Sequence, residues 1–146
     1  MTIVLGYDES PGAHRALEVA ISTARRLDEA LVIVYGAAPP GREGEEMRSH
    51  LDALESIGRE AVMHALETAT AHGVDADAAI VRAKPAEALL QVADQHDASL
   101  IVVGSYGESP LRSALLGSTP HKLLHLSTRP VLVVPGRDRA GVGRPS

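Results

Sequence analysis

Five short apolar runs punctuate the chain, at Thr2–Tyr7, Leu31–Ala37, Asp77–Ala83, Ser99–Gly104 and Pro130–Pro135, and stretches of helical spacing separate them. After the first run, Ser10 offers an N-cap and Pro11 suits the first helical position. Ala16, Ala20, Ala24 and Leu27, with Leu17 and Ile21 alongside, then recur at the period of one helix face. Pro39-Pro40-Gly41 stops the second run. A long helix is predicted over about 43–71, where Met47, Leu51, Leu54, Gly58, Ala61, Ala65 and Ala69 mark one face and His72-Gly73 gives a C-terminal signal. The third run is the least apolar and is expected near a sheet edge. Pro85–His96 reads as a short helix. The fourth run holds Leu-Ile-Val-Val without polar alternation, as a strand buried on both faces does. A last helix is predicted from about Thr119 to Leu126. Strand alternating with helix predicts one domain built on an open parallel α/β sheet. Right-handed crossovers then place ligands at the carboxyl ends of the strands, where the strand order reverses.

Composition narrows what such a sheet does. The 146 residues are 45% hydrophobic but contain no Phe, no Trp and three Tyr, so the core is built from Val, Ile, Leu and Ala. The chain has no cysteine, which excludes disulfides, Cys-based metal sites and thiol chemistry. The net charge of −5 disfavours nucleic acid and acidic membranes as partners. So few aromatic residues also leave little to stack on bases. The chain starts directly on an apolar strand with no signal-peptide pattern. None of its apolar runs reaches the roughly 18 residues of a membrane span. A soluble, cytoplasmic protein is expected, with a disordered tail over 136–146.

The candidate chemistry lies between the fourth run and the last helix. Gly104 ends the most apolar strand, Gly107 follows, and Gly117-Ser118 opens a helix. The first amides of a helix lack internal partners and lie at the positive end of its dipole, so they attract phosphate. Glycines let the main chain approach the phosphates closely. There is no Walker lysine, so this is not a P-loop, and the sequence holds no Ser-His-Asp or nucleophile-elbow pattern. His121 and His125 share a helix face without a third metal ligand nearby, and His64 and His72 are read as solvated.

Gly104, Gly107, Gly117 and Ser118 together reproduce the spacing of a known fingerprint: Gly, two residues, Gly, nine residues, Gly, then Ser or Thr. The sequence resembles the universal stress proteins of the ATP-binding class from about Thr2 to Pro135. Tyr7-Asp8-Glu9-Ser10, Pro85-Ala86 and Arg129-Pro130-Val131-Leu132-Val133-Val134 carry the rest of the likeness. The resemblance implies a Rossmann-like, adenine nucleotide alpha hydrolase-like sheet of order 3-2-1-4-5, helices on both faces, and a homodimer through the last strand. As an edge, Pro130–Pro135 is also a template for pairing with its own copy. The resemblance further implies ATP as ligand. Asp8 would contact the nucleoside, Gly36 would stand where the family often has Val against adenine, Val103 would line the nucleotide site, and Gly104, Gly107, Gly117, Ser118 and Thr119 would line the phosphate side. Pro120 lacks an amide hydrogen, and a Glu108 carboxylate near the phosphates would repel them unless Mg²⁺ lay between; the alternative is a solvated loop glutamate. Arg112 could reach a polyphosphate.

Three functions compete on these residues. The first is a nucleotide-binding regulatory protein with at most slow ATP hydrolysis, with cyclic AMP as an alternative ligand. The second is an enzyme of adenylyl transfer on the same fold, though Asp8-Glu9-Ser10-Pro11 lacks the His- or Ser-rich signature of that class. The third is a dimeric scaffold without a ligand.

Overall fold

The computed structural model describes residues 1–38, 45–105 and 116–136. In chain order the elements are β1 (Thr2–Gly6), α1 (Pro11–Leu27), β2 (Ala30–Gly36), α2 (Glu45–Ala71), β3 (Ala76–Val81), α3 (Pro85–His96), β4 (Leu100–Gly104), α4 (Ser118–Leu126) and β5 (Val131–Val134). Every helix and strand read from the apolar pattern is present, with ends shifted by a residue or two. Tyr106, Gly107, Glu108 and Arg112, and the expected tail beyond residue 136, lie outside the described residues.

All strand pairs are parallel, and their order is β3-β2-β1-β4-β5, the order that the resemblance implied. The least apolar run, β3, is at one edge and β5 at the other. Alternate strand residues feed two cores. Ile3, Leu5, Leu31, Ile33 and Val102 pack under α1 and α2. Val4, Val32, Val34, Ile101 and Val103 pack under α3 and α4 with Leu89, Val92 and Leu123. Burial of each such side chain contributes roughly 1.5–3 kcal/mol, and with no Phe or Trp available these aliphatic contacts make up the interior.

Local chemistry ends the helices where the sequence suggested. The Ser10 hydroxyl accepts the Ala13 amide at 3.1 Å, and Pro11 occupies the first helical position. Asp28 and Asp97 close α1 and α3 in the left-handed conformation, with φ of 54° and 47°. The buried face of α1 is mainly alanine, which lets the helix lie close to the sheet. A Cβ on Gly104 would stand 3.0 Å from the Gly12 carbonyl carbon and oxygen, so β4 and the first turn of α1 meet backbone to backbone. Gly104 therefore lets the first turn of α1 pack closely on β4.

The strand order fixes the place for a ligand. The chain leaves β1 in one direction toward β2 and β3, then returns to the other side of β1 for β4. The crossovers from β1 and β4 thus diverge to opposite faces and leave a crevice between their carboxyl ends.

Candidate functional site

A cleft of about 250 Å³ occupies that crevice. The β1–α1 turn forms one side, with Tyr7, Asp8 and Ser10. The ends of β2 and β4 and the start of α3 form the floor, with Val34, Tyr35, Gly36, Val103, Gly104, Pro85 and Leu89. The start of α4 forms the far side, with Gly117, Ser118, Thr119 and Pro120. Of the residues singled out from sequence, Asp8, Gly36, Val103, Gly104, Gly117, Ser118 and Thr119 all converge on this cleft. Gly107 lies outside the described residues.

The β1–α1 turn is tightly cross-bonded. Asp8 Oδ1 accepts the Ser10 amide at 3.1 Å and the Ser10 hydroxyl at 2.6 Å. The same hydroxyl oxygen accepts the Ala13 amide. Asp8 therefore supports the cap of α1, and it also remains exposed on the cleft. Its Oδ2 has no partner among the described residues. Supporting the cap and meeting a ligand are compatible because they would use different oxygens.

This geometry places Glu9 at φ 64°, a left-handed conformation that costs a non-glycine residue roughly 1–2 kcal/mol. Its carboxylate accepts a hydrogen bond from His64 Nδ1 of α2 at 3.1 Å. His64 is solvated as expected, 58% exposed, and is also a contact of the turn. Sequence reasoning missed this pair, whose members are 55 residues apart; no local spacing signals it. Behind the turn, the buried Tyr7 hydroxyl is hydrogen-bonded to His14 Nδ1 at 3.0 Å, with the rings edge to face. Burial, then the negative charges of Glu9 and Asp8, push the Tyr7 pKa well above the ordinary phenol range.

Gly36 has a steric reason. A Cβ there would lie 2.8 Å from the Ala83 carbonyl oxygen and the Pro85 Cα, so the start of α3 fills the space a Val side chain would occupy. Tyr35 next to it seats its ring on Gly58 of α2, where a Cβ would come within 2.3 Å of the ring. Tyr35 belongs to the core beneath α2 as well as to the cleft wall.

On the α4 side, Gly117 is the N-cap, and its amide donates to the Ser105 carbonyl at 2.7 Å. That amide is not available to a phosphate. Ser118 and Thr119, the first two helical residues, have amides with no partner among the described residues. Pro120 offers none, and the His121 amide already donates to the Gly117 carbonyl at 3.1 Å. Among the described residues, the helix start therefore presents two free amides and the two hydroxyls of the same residues, at the positive end of the α4 dipole. His121 and His125 stack edge to face at 4.8 Å. Among the described residues, no group of three or more His, Cys, Asp or Glu could hold a metal ion.

The sequence profile of the universal stress protein family matches residues 1–135. The chain belongs to the universal stress protein family. A universal stress protein of Thermus aquaticus is 34% identical over 140 residues, covering 91% of this chain and 97% of the relative. The universal stress protein UspA from Lactobacillus plantarum superposes with a TM-score of 0.82 at 21% identity, over 92% of this chain and 97% of its own, a likeness of fold. Another universal stress protein, solved in complex with cAMP, is 29% identical with a TM-score of 0.68, over 92% of this chain and 96% of its own. The family's five-stranded α/β fold is the fold found here. No helix among the described residues is long and apolar enough to cross a membrane.

Proposed function

We propose that this universal stress protein binds an adenine nucleotide in the β1/β4 cleft and acts as a cytoplasmic, nucleotide-dependent regulatory homodimer. ATP is the first ligand to consider. The observation that carries the reading is the pair of unpartnered amides, Ser118 and Thr119, across the same cleft from the free Oδ2 of Asp8. An anion at the α4 start would satisfy the amides, and ribose hydroxyls would donate to Asp8. Val34, Pro85, Leu89 and Val103 offer an apolar wall to the base, and the Gly36 backbone borders its edge. Gly107 is assigned to the phosphates from the fingerprint alone, and Mg²⁺, if required, would ride on the phosphates.

Binding is the expected activity, with hydrolysis slow. Asp8 Oδ1 is committed to the turn, and a role for Oδ2 in holding ribose leaves it remote from a terminal phosphate. The test is calorimetry with ATP, cyclic AMP and adenosine, together with identification of nucleotide released from the purified protein on denaturation. Failure to bind all three, with none released, overturns the reading in favour of a scaffold; rapid turnover with a defined product overturns it in favour of an enzyme.

Cyclic AMP is the second reading, favoured by a specific observation. Two free amides suit one phosphate better than three. The cleft volume of about 250 Å³ is also below the roughly 300–1,000 Å³ of typical small-molecule sites. The related protein solved with cAMP supports the same choice. Competition between ATP and cyclic AMP decides it.

The dimer reading rests on β5. It is an edge strand with Leu132 37% exposed, and pairing with its own copy would cover both edges. Light scattering should give twice the chain mass, and Leu132→Glu should halve it; a monomeric wild-type protein would refute this assembly.

A further inference from the structure

Glu9 stands between the residue assigned to ribose and the residue that caps α1, yet neither assignment uses its side chain. Turn positions in the left-handed region normally go to Gly, Asn or Asp. Here a glutamate occupies one at φ 64°. We infer that Glu9 is a positioning residue for the nucleotide, its carboxylate fastening the turn to His64 on α2 so that Asp8 is held in the cleft.

This role presupposes the nucleotide reading of the cleft, and four observations lead to it. The Asp8–Ser10 bonds fix the turn internally but tie it to nothing beyond the start of α1. The Glu9–His64 contact at 3.1 Å is the link between the turn and α2. The Glu9 carboxylate also acts on the Tyr7 hydroxyl, which His14 holds from α1 at 3.0 Å. Finally, the pair is open to solvent, with His64 58% and Glu9 36% exposed. An ion pair this exposed adds little to stability, so stability does not account for a strained glutamate at this position. Preorganising a ligand-binding turn does, because a turn already ordered loses less entropy when the ligand arrives. Function and strain then meet at one residue.

Adenosine is the informative probe. It is neutral, so removing a carboxylate near the phosphates cannot mask the effect. Glu9→Gly relaxes the backbone and deletes the anchor, whereas His64→Ala deletes the anchor alone. Each should weaken adenosine binding about tenfold, equivalent to about 1.4 kcal/mol, and the double variant should be no worse than either single one. Glu9→Gln keeps an oxygen that accepts from His64 and should bind nearly as the wild type does. Thermal midpoints should change little in all four. Glycine binding adenosine as tightly as glutamate at position 9, or single effects that simply add, would overturn the inference while leaving the nucleotide reading intact. Should the wild-type protein bind neither adenosine nor ATP, that reading fails by itself. Amide hydrogen exchange at Glu9 and Ser10 then decides the anchor: faster exchange in both Glu9→Gly and His64→Ala upholds it, and unchanged exchange removes it.

Discussion

On one side of the cleft, the β1–α1 turn satisfies nearly all of its own polar groups: Ser10 bonds Asp8 and Ala13, Glu9 bonds His64, and Tyr7 bonds His14. On the other side, the start of α4 leaves the Ser118 and Thr119 amides open, and its cap residue, Gly117, has no side chain to cap with. The contrast is physical. A helix whose N-cap is Ser bonds its own first turn, as α1 does, and has less to offer a ligand. A helix capped by Gly leaves its first amides for an incoming anion. The two sides thus divide the work, with the turn as a shaped wall and the α4 start as the group of donors still to be satisfied.

Crowding the floor between the two sides should have the largest effect. Gly36→Val, which restores the side chain that the family often carries, would drive a Cβ into the Ala83 carbonyl and Pro85 at 2.8 Å. Overpacking against backbone should cost roughly 2–3 kcal/mol and lower the thermal midpoint by roughly 5–10 °C. Adenosine affinity should fall with it. A variant of unchanged midpoint and tighter binding would mean that α3 yields easily and that the floor has room for a larger side chain.

The open side should respond in the opposite way, losing affinity without losing stability. Ser118 is the first residue of α4, where proline is tolerated, and Gly117 ahead of it is extended at φ −62° and ψ 162°, as a residue before proline prefers. Ser118→Pro therefore removes one free amide with little strain. ATP binding should weaken by roughly tenfold or more, as for a lost hydrogen bond to a charged group, with the midpoint nearly unchanged and adenosine binding intact. Ser118→Ala serves as the control for the hydroxyl. Equal losses for ATP and adenosine would show that the α4 start shapes the cleft rather than holding the phosphate.

Much of this contrast was legible in the sequence, for reasons particular residues make plain. Ser10-Pro11 announces α1 because capping and φ restriction are local properties. The Leu-Ile-Val-Val run of β4 announces a central strand because both its faces are buried. Gly117-Ser118 marks the start of α4. What could not be read depends on distant chain segments. Gly36 is glycine because of Pro85, and the His64 contact reaches Glu9 across 55 positions. The bond from the Gly117 amide to the Ser105 carbonyl likewise depends on how the chain returns from β4, which a fingerprint of glycines does not encode.

Asp8 joins the two behaviours, so its substitution should give an intermediate result. Asp8→Asn keeps an oxygen for Ser10 and replaces the free Oδ2 by an amide group, a donor where ribose needs an acceptor. Adenosine binding should weaken about five- to tenfold, while the midpoint falls by only a few degrees, since the cap from Ser10 to Ala13 remains. Chemical denaturation alongside calorimetry separates the two effects. A large loss of stability with unchanged affinity would confine Asp8 to capping.

The smallest expected effect is the most discriminating between ligands. Pro120 is the third helical residue of α4 and is buried; it removes an amide that the dipole would otherwise aim toward the cleft. Pro120→Ala returns that donor. It also gives up the rigidity of proline in the unfolded chain, worth up to about 1 kcal/mol, so stability should drop slightly while ATP affinity rises about threefold. Adenosine, which has no phosphate, should be unaffected. Cyclic AMP, whose single phosphate Ser118 and Thr119 would meet under the proposed binding, should gain less than ATP. The ratio of ATP to cyclic AMP affinity should therefore shift toward ATP, and the size of the shift measures how far the missing amide, rather than the shape of the cleft, sets the preference. An unchanged ratio would assign the preference to the walls, and to the β1–α1 turn in particular.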